Sequence, residues 1–589
     1  MFNTCKKIYS LLSEKERRRA WFILCLMLIG MILETLGIGL VIPVIAILTD
    51  ANLDENYPEL SDFIETLGFD DRADLIIISM LALICLYLLK NTFLVFQVFM
   101  QMKYAFTIRA NFSQRLFSHY LHMPYSFHLQ HNSSKLIWNI LNGVSTLSEQ
   151  GVIQSMFLIT ECLVLISFSV FLLLIEPVGA LLIIVLLGSV VYLYTSWSKK
   201  YLVSWSNRTR KHDGFRLQHI QQGLGSVKEI KILGREQGFL ELFGEHNRAA
   251  SDIQIKQSTF RQTPRFMFEI LAISAMVVLV ITMLLSGRDY STITPVLGVF
   301  AAATFRLMPS ANRMLSAIQS LRFSEPIVDA IHAEFATLAD NKFLAKVTEE
   351  KSFKSSIALE SVYFRYPGEN KDTLKDISLE IKQGESVGFI GPTGSGKSTL
   401  IDLLLALTEP RLGSIKIDGC DLKNVASSWQ QQIGYVPQSI YLTDDTIRCN
   451  IAFGVPEKDI DDDAVVRALR MSRLLDFVQS LEAGMETIVG EQGVRLSGGQ
   501  RQRIGLARAL YHDPDVLVFD EATSALDVQT EKEIVSEIQT FKGQKTLLVI
   551  AHRLTTVENC DCIYQLESGR ISNQGSPAEL LGGINAENS

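Results

Sequence analysis

Six long apolar runs dominate roughly the first 325 residues, at about 21–49, 74–100, 150–175, 178–197, 266–286 and 294–315. Each is close to or above the roughly 20 apolar residues a helix needs to cross a bilayer. In hydrocarbon every backbone amide must be satisfied within the protein, so runs of this length predict helices. The first half is therefore read as six transmembrane helices, and an even number returns the chain to the side on which it began. Charge sets that side. Lys15, Arg17, Arg18 and Arg19 precede the first run, whereas the loop after it, DANLDENYPELSDFIETLGFDDRAD, is acidic with a single arginine. Basic flanks stay inside, which predicts a cytoplasmic N-terminus and an outer first loop. The opening KKIYSLLSEKERRRA leads into a run too long for a cleaved signal and reads as a cytoplasmic interfacial segment.

The connections are asymmetric. Runs three and four are joined by little more than EPVG and runs five and six by SGRDYSTIT, while about 50–70 residues separate two from three and four from five. Those longer stretches are polar but keep helical apolar spacing, which predicts that the spans continue as helices beyond the membrane and end in turns that contact the soluble half. In the first loop, Leu60, Phe63, Ile64 and Leu67 follow Pro58 at helical spacing and predict a short amphipathic helix, on the outer membrane surface or packed on the mouth of the protein. Eight scattered cysteines form neither a disulfide framework nor a paired metal motif and read as packing residues. A net charge of -8 gives no sign of a nucleic-acid partner. The expected organisation is a transmembrane domain over 1–330, a linker over 331–355 and a soluble domain over 356–589.

The soluble half carries GPTGSGKST at 391–399, after the apolar strand ESVGFI and before the helical LIDLLLAL. Strand, glycine loop and helix form the context a phosphate-binding loop needs. Gly391, Gly394 and Gly396 let backbone N–H groups approach phosphate, with Thr393 and Thr399 in the same loop. Lys397 reaches the β/γ-phosphates, and the Ser398 hydroxyl can bind Mg²⁺. DVLVFDEATSALD ends a second apolar strand in Asp520 and Glu521. Asp520 is placed to hold Mg²⁺, directly or through water, and Glu521 to polarise the attacking water as general base.

With LSGGQRQRIGLARAL at 496–510, and YVPQ, FDEATSALD and IAHR in order, the chain resembles an ABC transporter half-molecule of the exporter type over nearly its whole length. That resemblance implies a helical six-span domain with long cytoplasmic helix extensions, joined to an α/β P-loop ATPase domain. It implies ATP and Mg²⁺ as cofactors, adenine stacking on Tyr366, and Gln438 as the glutamine that senses Mg²⁺ and the transmembrane half. Ser497, Gly498, Gly499 and Gln500 would face the ATP held by another subunit's P-loop. Asp527 is implied as a dimer contact and His552 as the switch histidine at the γ-phosphate. One P-loop and one signature per chain cannot close two ATP sandwiches, so a homodimer is expected. Nothing suggests a periplasmic binding protein.

Charge at membrane depth bears on what crosses. With the sixth span starting near Pro295, Arg306 lies about 16 Å along the helix; Lys90 lies about 24 Å past Asp74, and Arg265 sits at the inner boundary. Intramembrane charges pair with one another or mark a substrate path. An Arg265–Glu269 pair, Arg306 with Glu34 or Glu161, and a snorkelling Lys90 are the structural alternatives. FRLMPSANRM, the short basic N-terminus, the outer-loop helix and the compact six-span layout resemble the bacterial flippases of lipid-linked oligosaccharides in protein N-glycosylation. That resemblance implies a polyprenyl-pyrophosphate glycan moved to the outer leaflet of the inner membrane, its pyrophosphate held by Lys90, Arg265 and Arg306. An exporter of drugs, lipids or other amphiphiles and an ATP-gated channel are the rival readings.

Overall fold

The structure is a computed structural model that describes residues 2–40, 72–175, 177–285, 290–340, 352–521, 528–551 and 553–580. The expected outer-loop helix around Pro58 lies outside these residues. Two compact units divide the chain: Met1–Met123 with His131–Lys342, and Pro124–Gln130 with Phe343–Ser589. The inner turn at 124–130 thus belongs to the soluble unit.

The first unit is built from long helices. α1 (Phe2–Leu11) leads into α2 (Glu14–Gly39) and α3 (Arg72–His122); α4 (Tyr125–Gln130) forms the turn, and α5 (Ser133–Trp138) runs on through two stretches of wider π winding into α6 (Gln154–Ile175). α7 (Pro177–Gly225), the short α8 (Val227–Leu233), α9 (Glu236–Leu285) and α10 (Tyr290–Asp340) follow. The described parts of the six apolar runs fall in α2, α3, α6 with the π-wound stretch before it, α7, α9 and α10. Among the described residues, four helical stretches, Glu14–Gly37, Ile76–His122, Ser133–Phe171 and Glu236–Leu285, are long and apolar enough to cross a membrane. The helices α3, α7, α9 and α10 each hold 49 to 51 residues, more than twice what a bilayer requires, so they continue well beyond it.

Local chemistry explains where these helices begin and pack. Ser13 and Glu16 form a capping box at the start of α2: the Glu16 carboxylate accepts from the Ser13 N–H at 2.8 Å and from its hydroxyl at 2.9 Å. The other Glu16 oxygen accepts from Asn111 at 2.9 Å, tying α2 to α3. Where α7 leaves its apolar run, Tyr194, Trp197 and Trp205 gather on Phe260 of α9 with ring centroids 5.2–5.5 Å apart. Aromatic clusters of this kind suit the membrane–water boundary, where one end of the ring is apolar and the other wet. All eight cysteines are free.

The soluble unit contains a four-stranded sheet of order β2-β1-β4-β5 and a six-stranded sheet of order β10-β9-β3-β8-β7-β6. The first is formed by β1 (Ser356–Phe364), β2 (Leu374–Lys382), β4 (Leu412–Ile417) and β5 (Cys420–Asp421). In the second, β3 (Ser386–Ile390), β6 (Ile433–Val436), β7 (Val516–Asp520), β8 (Thr546–Ile550) and β9 (Cys562–Glu567) run parallel, and β10 (Arg570–Gly575) is antiparallel. Every residue of β3 and β8 is buried. Strands covered on both faces must be continuously apolar, which is why these read as unbroken runs rather than alternations. The helices α11 (Lys397–Leu404), α12 (Leu422–Gln431), α13 (Gly498–Leu510) and α14 (Val528–Gln539) complete the part of the fold that positions the site.

Candidate nucleotide site and transmembrane charges

In open parallel sheets, ligands bind beyond the carboxyl ends of the strands. Four strands deliver the expected residues to that edge. β3 runs into the glycine loop, β6 is followed by Gln438, β7 ends in Asp520 and Glu521, and β8 leads towards position 552. The register fixes their neighbourhood: Val436 pairs with Phe519, Asp520 with Ile550, and Phe389 also with Ile550.

The glycine loop needs its glycines for two distinct reasons. Gly391, Gly394 and Gly396 have φ of 146°, 81° and 105°, conformations that side chains resist. A Cβ at Gly391 would also lie 2.2 Å from the Leu566 carbonyl oxygen. Lys397 opens α11 and is only 5% exposed. Its Nζ donates to the carbonyls of Gly391 at 2.8 Å and Pro392 at 3.1 Å, so the ammonium lies folded over the loop. Burial pushes its amine down from the usual lysine range, and Glu521 and Asp520 oppose that shift. Ser398 is exposed in the first turn, while Thr399 is buried and shares a 3.1 Å hydrogen bond with the Tyr366 hydroxyl. Tyr366 therefore stands at the phosphate loop, its ring edge-on to Phe364 with centroids 5.0 Å apart.

The two acids at the end of β7 have separate surroundings. Gln438 donates from Nε2 to Glu521 at 2.7 Å, bringing two expected catalytic residues together. Glu521 itself has φ of 50°, and its N–H donates to Ile550 O at 3.2 Å. A non-glycine residue in the left-handed region is uncommon and marks a position held there by its surroundings. Asp520 accepts from the Tyr435 hydroxyl at 3.2 Å. Burial raises the Asp520 carboxyl above the usual range, with Glu521 adding to the shift and Tyr435 and Lys397 opposing it.

Ser398, Asp520 and Gln438 form an oxygen donor set, which fits a hard cation such as Mg²⁺. Among the described residues no three His, Cys, Asp or Glu side chains gather to hold a metal, so these residues supply only part of a coordination shell. Substrate phosphates commonly complete it.

Sequence reasoning missed Asp402. This carboxylate sits in α11 five residues after Lys397, and its charge acts on both Tyr366 and Tyr435. Burial, then the nearby Asp520, pushes its pKa up to about 6. The available signal was an acid set within the apolar stretch LIDLLLAL.

The signature segment starts a helix as expected. Ser497 caps α13, accepting from the Gln500 N–H, while the Gln500 side chain accepts from the Ser497 N–H at 2.8 Å. Gln500 was expected among the ATP contacts; here its side-chain oxygen serves the cap. Among the described residues no hydrogen bond joins Ser497, Gly498 or Gly499 to the loop 391–399. Asp527 and His552 lie outside the described residues.

Among the described residues, the transmembrane charges have separate partners. Arg265 donates from Nε to Glu269 at 3.2 Å, the helical-turn pair that was its structural alternative. Glu161 is held by Arg313, which donates from Nε and Nη2 to the two carboxylate oxygens, and Nη2 also reaches Ser310 at 3.2 Å. Arg313 was not among the partners expected for Glu161. Arg306 lies on α10 among residues whose side chains are not described. Lys90 does not snorkel. It is 8% exposed, its Nζ stands 4.3 Å from the Tyr87 ring centroid, and its stem packs against Gly37 of α2. No contact among the described residues joins Lys90 to Arg265.

Comparison with known proteins agrees with both units. The ABC transporter transmembrane region matches residues 24–307, and the ABC transporter domain matches residues 374–524. An ATP-dependent lipid A-core flippase of Saccharophagus degradans is 32% identical over 489 residues, covering 80% of this chain and 79% of the relative. A lipid A-core flippase of Cupriavidus metallidurans is 30% identical over 478 residues, and one of Albidiferax ferrireducens is 27% identical over 545, covering 91% of this chain and 92% of that protein. The solved structure of a bacterial Atm1-family ABC exporter with ATP bound superposes with a TM-score of 0.79 at 25% identity, covering 97% of each chain.

Proposed function

This chain belongs to the ABC transporters of the exporter type and hydrolyses ATP, and from that premise we propose that it is a homodimeric flippase for a polyprenyl-pyrophosphate-linked oligosaccharide in the bacterial inner membrane. The substrate moves from the cytoplasmic to the outer leaflet, with the N-terminus and the ATPase domain cytoplasmic. The observation that carries flipping is the likeness to lipid A-core flippases across about four-fifths of the chain. The anionic headgroup rests on Lys90, a buried amine on a membrane-spanning helix with no carboxylate ion pair among the described residues. Such a cation is costly unless something neutralises it.

The chemistry follows from the site. Backbone N–H groups of the loop and Lys397, released from the Gly391 and Pro392 carbonyls, bind the phosphates. Tyr366 carries the adenine. Mg²⁺, when bound through Ser398, Asp520 and Gln438, neutralises charge on the transferring phosphoryl group. Glu521, oriented by Gln438, takes the proton of the attacking water, and His552 faces the γ-phosphate. The capped start of α13 presents Ser497, Gly498 and Gly499 to the ATP of the second subunit, with Asp527 at the contact. Closure of that pair moves the inner helix turns, and hydrolysis resets them.

Lipid A-core itself is the second reading, favoured by the names of the relatives. ATP turnover in lipid nanodiscs tests both. Stimulation by polyprenyl-pyrophosphate oligosaccharide is expected, lost in Lys90→Ala and Arg306→Ala and retained in Arg265→Ala, since Arg265 is already paired. Stimulation by lipid A-core alone moves the assignment to the second reading. Stimulation by neutral amphiphiles alone, with Lys90→Ala harmless, makes the chain a general exporter.

A further inference from the structure

A cavity of about 400 Å³ opens between α5 and α7, lined by Lys135 and Trp138 on one side and by Asn207, Arg210, Lys211 and Phe215 on the other. Its volume falls within the range of small-molecule sites. No aspartate or glutamate lines it. Three cations thus meet on one concave surface, and among the described residues none of them forms an ion pair. Like charges left together repel, so the arrangement lacks a negative partner.

Trp138, 4% exposed, gives the cavity a fixed aromatic wall. The Arg210 guanidinium stands over the Trp138 ring at 6.0 Å, which directs positive charge to the aromatic wall. The opposite wall is also fixed: Phe215 stacks on His246 of α9 at 4.8 Å with 14° between the planes. A Ser134 hydroxyl bond to Gln221 clips α5 to α7 beside the opening.

Position along α7 favours a soluble ligand over a lipid headgroup. The fourth apolar run ends near residue 197, and Arg210 follows about 20 Å further along the helix at 1.5 Å per residue. We propose that this cavity binds a soluble phosphate-bearing anion, its charge held by Lys135, Arg210 and Lys211 and any ring it carries resting against Trp138 and Phe215. It shares no residue with the nucleotide site or with the proposed substrate path.

The test uses full-length protein carrying Glu521→Gln, saturated with ATP so that the phosphate loops are filled, in nanodiscs of zwitterionic lipid. Inorganic pyrophosphate is titrated by calorimetry. Expected is one pyrophosphate per chain, bound about tenfold more weakly after Arg210→Gln or Lys211→Gln, the loss of one charge-assisted contact each. Lys135→Arg should keep the affinity, with ATP binding confirming that each variant is folded. Absence of binding, or binding insensitive to Arg210→Gln and Lys211→Gln, overturns the proposal. Loss of pyrophosphate binding when the nanodiscs are made with phosphatidylglycerol would assign the site to a lipid headgroup and overturn the soluble ligand.

Discussion

Charged residues in the two halves of the molecule obey different logic. In the soluble unit, Lys397, Gln438, Asp520 and Glu521 come from three separate stretches of sequence and meet at one edge of a parallel sheet, with Gln438 2.7 Å from Glu521. In the membrane unit, Lys90 and Arg265 come from separate helices and stay apart, one over a tyrosine and the other on a glutamate of its own helix. Water lets the soluble site hold charges open for a ligand, because the loop carbonyls and solvent satisfy them in the meantime. Hydrocarbon offers no such substitute, so each charge settles on the nearest available partner. Depth in a membrane predicts that a charge has a partner and does not predict which one.

The sharpest test of the soluble half is Glu521→Gln. The substitution keeps the shape of the side chain and the acceptor for Gln438, while removing the basic carboxylate. ATP hydrolysis should fall by about a hundredfold or more, the usual contribution of a general base, with ATP binding retained. Normal turnover would mean that the meeting of residues at the sheet edge is structural.

A smaller effect tests the membrane half. Glu161 has a side chain only 11% exposed and is bound to Arg313 through both oxygens. Glu161→Gln and Arg313→Gln should each lower thermal stability, and the double variant should lose less than the sum. The expected coupling is about 1 kcal/mol, in the range of polar pairs between membrane helices. Additive losses would show that the two side chains do not sense each other and would free Arg313 for a role in the substrate path.

How much could be read from the chain follows the same division. The P-loop was legible because strand, glycine turn and helix are consecutive, so local sequence carries the geometry. The six spans were legible because hydrophobic length alone specifies a membrane helix. The Arg313–Glu161 pair was not, since its members are 152 positions apart and helix rotation, which apolar runs encode poorly, decides which face meets which. Gln500, expected among the nucleotide contacts, also stands three residues after Ser497, the spacing of a capping box, and its side-chain oxygen makes that cap. Asp402 was passed over because a helix following a P-loop draws attention to its first turn.

Asp402 offers the smallest effect and bears most directly on the contrast, being a soluble-half charge that is partly buried. Its pKa of about 6 lies above the ordinary aspartate value, so the fold disfavours the ionised form. Below the unfolded value, near 3.8, the carboxyl is neutral in both states and costs nothing; the penalty on the folded protein grows as pH rises from there to about 6 and is full above it. In nucleotide-free protein, Asp402→Asn should therefore be more stable than wild type at pH 8, with the advantage shrinking towards pH 5. The side chain is only half-buried, so solvent screens the penalty and the gain should stay below about 1 kcal/mol. Thermal unfolding of both proteins across that range measures it. A gain independent of pH would trace the effect to packing, and a loss at pH 8 would show that Asp402 stabilises the site as an anion, most simply by holding Tyr366 or Tyr435 in place.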